Sequence, residues 1–352
     1  MKMKRKCKKN SFLIAAILCM SLMGGCKGTE GENTAAGMQQ IQAHQYEDAM
    51  ISFDAAEEKK EDPQLIARGR GIASSGMTDY ENAVTCFQTA LSYSDIIVDD
   101  LDYDINYYLA DAYTKAGDLQ KAKETYDAIL NMREKEPQAF FLRGRIYLQD
   151  GDFESAVADF GKALQYDSSN YDLRIEIAGD LTQAGYQEEG EKYLSDFLTE
   201  NEKKLSDYDK GRISYYLSDY ENARVYLEKA KSDNTQNTAL ILGKTYEALG
   251  DYNYATSVYM NYLADHGDAA VIYNQLGLCK LKAGEYSDAL TAFQNAQAVE
   301  NNGMEQTLSL NEIIANEYLG DFKQADVLMQ AYIKKYPDDT EAIREAAFLK
   351  SR

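Results

Sequence analysis

The chain has 352 residues, 45% of them hydrophobic, and 58 acidic residues outweigh 37 basic ones for a formal charge of −21. So acidic a body repels the phosphates of nucleic acid and the headgroups of anionic lipid, and neither is expected as a partner through charge.

Residues 1–25 read as an export signal. Lys2, Lys4, Arg5, Lys6, Lys8 and Lys9 precede an apolar run from Phe12 to Met23, which is the order of a cleavable leader. The run is too short to cross a hydrocarbon core, which needs about 20 residues, so removal is expected. Leu22-Met23-Gly24-Gly25-Cys26 resembles the lipobox of bacterial lipoproteins, with Met23 in place of the commoner aliphatic residue. The resemblance implies that Cys26 is lipidated and becomes the mature N-terminus, which puts the protein on the extracytoplasmic side of the cell membrane. A diacylglyceryl group supplies two chains, enough for stable anchoring where one is marginal. Without the six basic residues of the leader, 31 basic face 58 acidic, near −27, so membrane residence falls to the lipid. Residues 26–36 are rich in Gly, Thr, Glu and Asn and read as a flexible tether.

From residue 37 to 337 one pattern returns. Anchors stand at Tyr46, Tyr80, Leu119, Phe153, Gln187, Tyr220, Tyr252, Tyr286 and Phe322, separated by 32 to 39 residues and most often by 34. Three residues past each anchor the side chain is small, as at Ala49, Ala83, Ala156 and Ala289. Seven past it is a large apolar residue on the same helical face, as at Phe53, Phe87, Phe160 and Phe293. Nine before it a small residue recurs, as at Gly71, Gly144, Gly211 and Gly277, failing at Ile313. A period near 34 is that of a two-helix unit, and the small residues let its helices approach closely. The pattern resembles the tetratricopeptide repeat. The resemblance implies an all-α, right-handed superhelical solenoid of about nine helix-turn-helix repeats. The fifth unit departs from it, with Gly190, Leu194 and Phe197 where Ala, Phe and Ala are expected.

Gly117, Gly151, Gly250 and Gly320 each precede an Asp, a spacing that closes one helix on a left-handed glycine and starts the next on a capping Asp. Pro63, Pro137 and Pro337 fall between units. The 39-residue step after Tyr80 places an acidic insertion around Asp95 to Asp104. Asp100, Asp102 and Asp104 alternate as in a calcium loop, but Ile105 stands where such a loop requires glycine, and an acidic inter-repeat loop favouring a helix N-terminus is the preferred reading. Residues 338–352 form a capping helix whose pattern of Ile343, Ala346, Ala347 and Leu349 suits an amphipathic helix. Cys86 and Cys279 lie six units apart and are expected as small buried apolar residues without a mutual disulfide.

His44 and His266 sit in no metal-ligand spacing, no phosphate loop or nucleophile elbow occurs, and the carboxylates belong to helix faces. The expectation is a non-enzyme without cofactor or metal. The repeat resemblance implies that first helices line a concave groove, which points to positions twelve and eight before each anchor. Phe141, Arg145, Tyr208, Arg212 and Lys244 are the candidate contacts there, an aromatic strip with positive charge suited to an acidic protein or peptide segment. The Lys and Asn pattern with which some relatives clamp a terminal carboxylate is missing. The reading that results is a membrane-tethered scaffold for protein–protein interaction at the bacterial cell envelope. A component of envelope-assembly machinery and a solute- or carbohydrate-capturing lipoprotein are the alternatives.

Overall fold

The computed structural model describes residues 31–95, 98–300, 302–337 and 339–350. The expected leader, Cys26 and the start of the expected tether lie outside the described residues. Among the described residues there are nineteen α-helices, one short 3-10 turn and no strand. They form two compact units, residues up to Ile146 and residues from Tyr147 onward.

In the first unit α1 (Glu32–Gln42) and α2 (Tyr46–Glu58), α3 (Pro63–Gly76) and α4 (Tyr80–Ser92), and α5 (Asp100–Lys115) and α6 (Leu119–Met132) pair as hairpins, each packed on the next. The boundary between units falls in α7 (Pro137–Gln149). The second unit contains α8 (Phe153–Tyr166), α9 (Tyr171–Gln183), α10 (Gln187–Asn201), α11 (Asp207–Tyr216), α12 (Tyr220–Ala230) and α13 (Gln236–Ala248). It continues with α14 (Tyr252–His266), α15 (Ala270–Ala283), α16 (Tyr286–Ala298), α17 (Glu305–Leu319), α18 (Phe322–Lys335) and α19 (Thr340–Leu349).

Every anchor of the sequence period is the first residue of a helix. The small column nine before the anchor meets the large column seven past it within the same hairpin. A Cβ added to Gly71 would stand 2.4 Å from the Phe87 ring, and one on Gly277 2.4 Å from the Phe293 ring. Both rings are fully buried, each burial contributing about 1.5–3 kcal/mol. Asp79 and Asp118 in the first unit, and Asp152, Asp219, Asp251 and Asp321 in the second, accept the backbone N–H three residues on, each cap contributing about 1 kcal/mol. The four predicted turn glycines have φ between +79° and +84°, and where glycine is missing Thr78 and Ser218 take the same conformation at 62° and 60°.

Four expectations change. Residues 32–36, read as tether, are already helical, because Glu61 accepts the N–H groups of Asn33 and Thr34 at 3.1 and 2.8 Å and so holds the start of α1. The acidic stretch is not a loop from Asp100 onward: Asp99 and Asp102 form a capping box that starts α5. Asp102 is 3% exposed and accepts from Gln64 Nε2 at 2.8 Å, while Asp104 pairs with Arg68 and Asp100 with Arg133, both at 2.5 Å. The capping helix α19 buries Ala342, Ala346 and Leu349 on α18, leaving Ile343 45% exposed and Ala347 exposed. Cys279 is buried but Cys86 is only half-buried, and both thiols are free.

Candidate interaction site

The candidate side chains lie on first helices, and each unit presents its own set. In the first unit α7 places Phe141 and Arg145 one turn apart, with the guanidinium 5.7 Å from the ring centroid. Phe141 is only 4% exposed, so its ring packs inward and the exposed Arg145 covers it. That corrects the expectation of an aromatic contact at Phe141.

In the second unit α11 carries Tyr208 and Arg212, with the guanidinium 5.3 Å from the ring. Arg212 is committed: it pairs with Asp172 on α9 and with Asp209 at 3.2 Å. Burial alone pushes the Arg212 pKa down, but the hydrogen bond and attraction to Asp172 outweigh it and the pKa rises. Burial also raises the Tyr208 hydroxyl. Lys244, on α13, is half-buried, and burial pushes its ammonium down, with Lys282 adding to that and Glu247 opposing it. The structure brings Phe141 to Arg145 and Tyr208 to Arg212, and sets Lys244 within electrostatic reach of Glu247.

Three cations on first helices are spent on the adjacent first helix. Arg68 on α3 meets Asp104 on α5, Arg212 on α11 meets Asp172 on α9, and Lys282 on α15 meets Glu247 on α13 at 2.6 Å. These partners lie 35 to 40 residues apart, about one repeat. Of the cations read from the sequence, Arg212 is therefore neutralised within the repeats, and α11 presents mixed charge and aromatic surface in place of free positive charge.

Two features escaped the sequence reading. Tyr216 continues the line of Tyr208 and Arg212 at the next fourth residue of α11 and is 53% exposed; the i, i+4, i+8 spacing was the available signal. The other is a polar network inside the second unit. Glu247 has a side chain 4% exposed, and its Oε1 accepts from Tyr259 Oη and Gln275 Nε2, both at 2.8 Å. Its signal was a tyrosine where Phe87 and Phe293 stand in other repeats, since a buried hydroxyl requires a partner. Burial, with Glu247 nearby, also pushes the Cys279 thiol up to about 11.

Stacked two-helix units closed by a glycine next to a small-residue column define a helical-hairpin repeat protein. Models described as tetratricopeptide repeat match residues 68–139, 115–172 and 313–339, so these stretches carry tetratricopeptide repeats, and this fold goes with protein–protein interaction. Among curated proteins, the BBSome complex member bbs-4 of Caenorhabditis elegans is 24% identical over 218 residues, 58% of this chain. The chain spans about half of that relative's length, 47%. A tetratricopeptide repeat protein from Parabacteroides merdae superposes with a TM-score of 0.42 and 16% identity, over 71% of this chain and 98% of its own. The human IFIT1 dimer with PPP-AAAA does so at 0.40 and 15%, over 90% and 84%.

Proposed function

We propose that the protein is a non-catalytic scaffold, tethered through Cys26 to the extracytoplasmic side of the cell membrane, that holds a segment of another protein on its first-helix faces. The observation that carries the reading is the stripe of Tyr208, Arg212 and Tyr216 along α11. Tyr and Arg dominate the energetics of protein interfaces, and Arg212 is held rigid by its two carboxylates, so it loses little freedom on binding. Because the ion pairs neutralise the stripe, recognition rests on aromatic contact and shape rather than on an acidic ligand. Membership of a complex, which the name of the curated relative states for that protein, agrees with a scaffold. The basic, apolar and small-residue order before Cys26 supports the tether.

Two variants test the two halves of the proposal. Cys26→Ala is expected to move the protein from the membrane to the soluble fraction, and mass spectrometry of the wild type to find a lipid-modified Cys26 at the mature N-terminus. Tyr216→Ala, at an exposed site, is expected to weaken partner capture by about thirtyfold, or 2 kcal/mol, with helicity unchanged. Membrane retention of Cys26→Ala, or capture indifferent to Tyr216→Ala, contradicts the corresponding half.

A further inference from the structure

The second unit has a cleft of about 690 Å³ lined by α8, α9 and α10, on a different face from the stripe described above. Arg174, which lines it, lies about 140° around α9 from Gly179, the groove position of that helix, at 100° per residue. The lining runs along α10 from Glu189 to Asn201, a length of about 18 Å at 1.5 Å per residue. An extended chain of about five residues covers that distance, so the cleft is proportioned for a peptide rather than a compact solute.

Arg174 gives the cleft its chemistry. Its guanidinium lies 4.0 Å from the centroid of Phe197, a ring only 8% exposed. Its Nε is buried without a hydrogen-bond partner, and among the described residues no carboxylate pairs with it within 4 Å. Arg68, Arg70, Arg133, Arg143, Arg212 and Arg224 each hold one. Burial accordingly pushes the Arg174 pKa down where it is raised at Arg212. A half-desolvated cation without a counter-ion is stabilised by an incoming anion. The rim decides which anion: Lys192 and Lys204 stand against Glu189, Asp196 and Glu200, all exposed. With Arg174 the lining sums to zero, so a phosphate dianion or a nucleic-acid backbone meets three carboxylates, whereas a single carboxylate matches the one half-buried charge. Half-buried Tyr171, Tyr193 and Phe153 supply apolar surface beside it.

We propose that this cleft is a second docking site, for an extended peptide segment in which one Asp or Glu sits beside a large apolar residue, with its carboxylate on Arg174. The site arises where the fifth hairpin departs from the repeat pattern: Phe197, in place of a small residue, is the ring on which Arg174 lies. It is independent of the first-helix face.

The test uses the full chain and two pools of end-blocked hexapeptides, one with Glu and the other with Gln at a fixed central position, the flanking positions drawn from Phe, Tyr, Leu and Ile. Binding is followed by the Arg174 Nε–H NMR signal and by fluorescence polarisation. The Glu pool is expected to bind at least about tenfold more tightly than the Gln pool, as suits a charge-assisted fork. Arg174→Gln should abolish that preference without lowering the melting temperature, since it removes an uncompensated charge, and Arg174→Lys should keep part of it. Exposed Lys204→Gln should leave it intact. Equal affinity for the two pools, no binding of the Glu pool at about 1 mM, or a preference that survives Arg174→Gln overturns the proposal. So does displacement of the Glu pool by benzoate or inorganic phosphate at concentrations equal to the peptide's own, which would assign the site to a free anion.

Discussion

Replacing Lys282 by Met leaves the Glu247 carboxylate inside the second unit without its cation. Removing one partner of a fully buried pair costs about 3–5 kcal/mol. Lys282 is 55% exposed while Glu247 is 4% exposed, so water already screens one side of the pair and the expected loss falls to about 1–2 kcal/mol. Tyr259 and Gln275 still donate to Oε1, which keeps the network from collapsing. Glu247→Gln preserves the shape and an oxygen acceptor while removing the charge. In the double variant no charge is left stranded, and the two losses are expected to fall short of additivity by about 1 kcal/mol. Urea denaturation reads the magnitude, and hydrogen exchange across Gln236–Ala283 locates it, since damage in a repeat array concentrates near the altered interface. A Lys282→Met protein within about 0.3 kcal/mol of wild type, or strictly additive losses, would refute the idea that Glu247 is held as a buried, compensated charge.

Two other outcomes follow from the packing and the caps. Hydrogen bonds from Thr34 and Asn33 hold the Glu61 carboxyl down to about 2, below its unfolded value of about 4.3. Its contribution is thus present above the unfolded pKa and is lost as pH falls through about 2. Amide protection of α1 should fade over that window before the rest of the first unit, and Glu61→Gln should reproduce the fading at neutral pH; α1 protected equally at both ends of the window would exclude the linkage. Gly277→Ala places a Cβ 2.4 Å from the Phe293 ring and should cost about 1–3 kcal/mol in urea denaturation, whereas a neutral effect would mean that the hairpin is looser than described.

The period made the fold legible because each of its columns answers a steric demand. Gly71 and Gly277 are small because Phe87 and Phe293 press against them, and the anchors open helices because an Asp before most of them caps the first turn. Where glycine was absent the turn persisted, as at Thr78 and Ser218, which a reading keyed to glycine understates. The candidate face was less legible. A repeat spacing says which first-helix positions face one another, but not that Arg212 turns to Asp172 or that Phe141 is covered by Arg145. Those outcomes depend on which acids stand one repeat away, information that the period dilutes. Arg174 was missed because the fifth hairpin departs from the columns, and its ring partner Phe197 registered only as a departure.

The scaffold reading is tested most directly by site-specific photo-crosslinking in intact cells, with p-benzoylphenylalanine placed at position 216 on α11 or at position 225 on α12. Both native residues are exposed, Tyr216 by 53% and Val225 by 44%, so neither substitution disturbs packing and the two differ in the helix that presents them. The account predicts one discrete adduct from position 216, lost when Cys26→Ala releases the protein from the membrane, and none from position 225. Equal adducts from both positions, or an adduct from position 225 alone, would contradict a partner seated on the first-helix face.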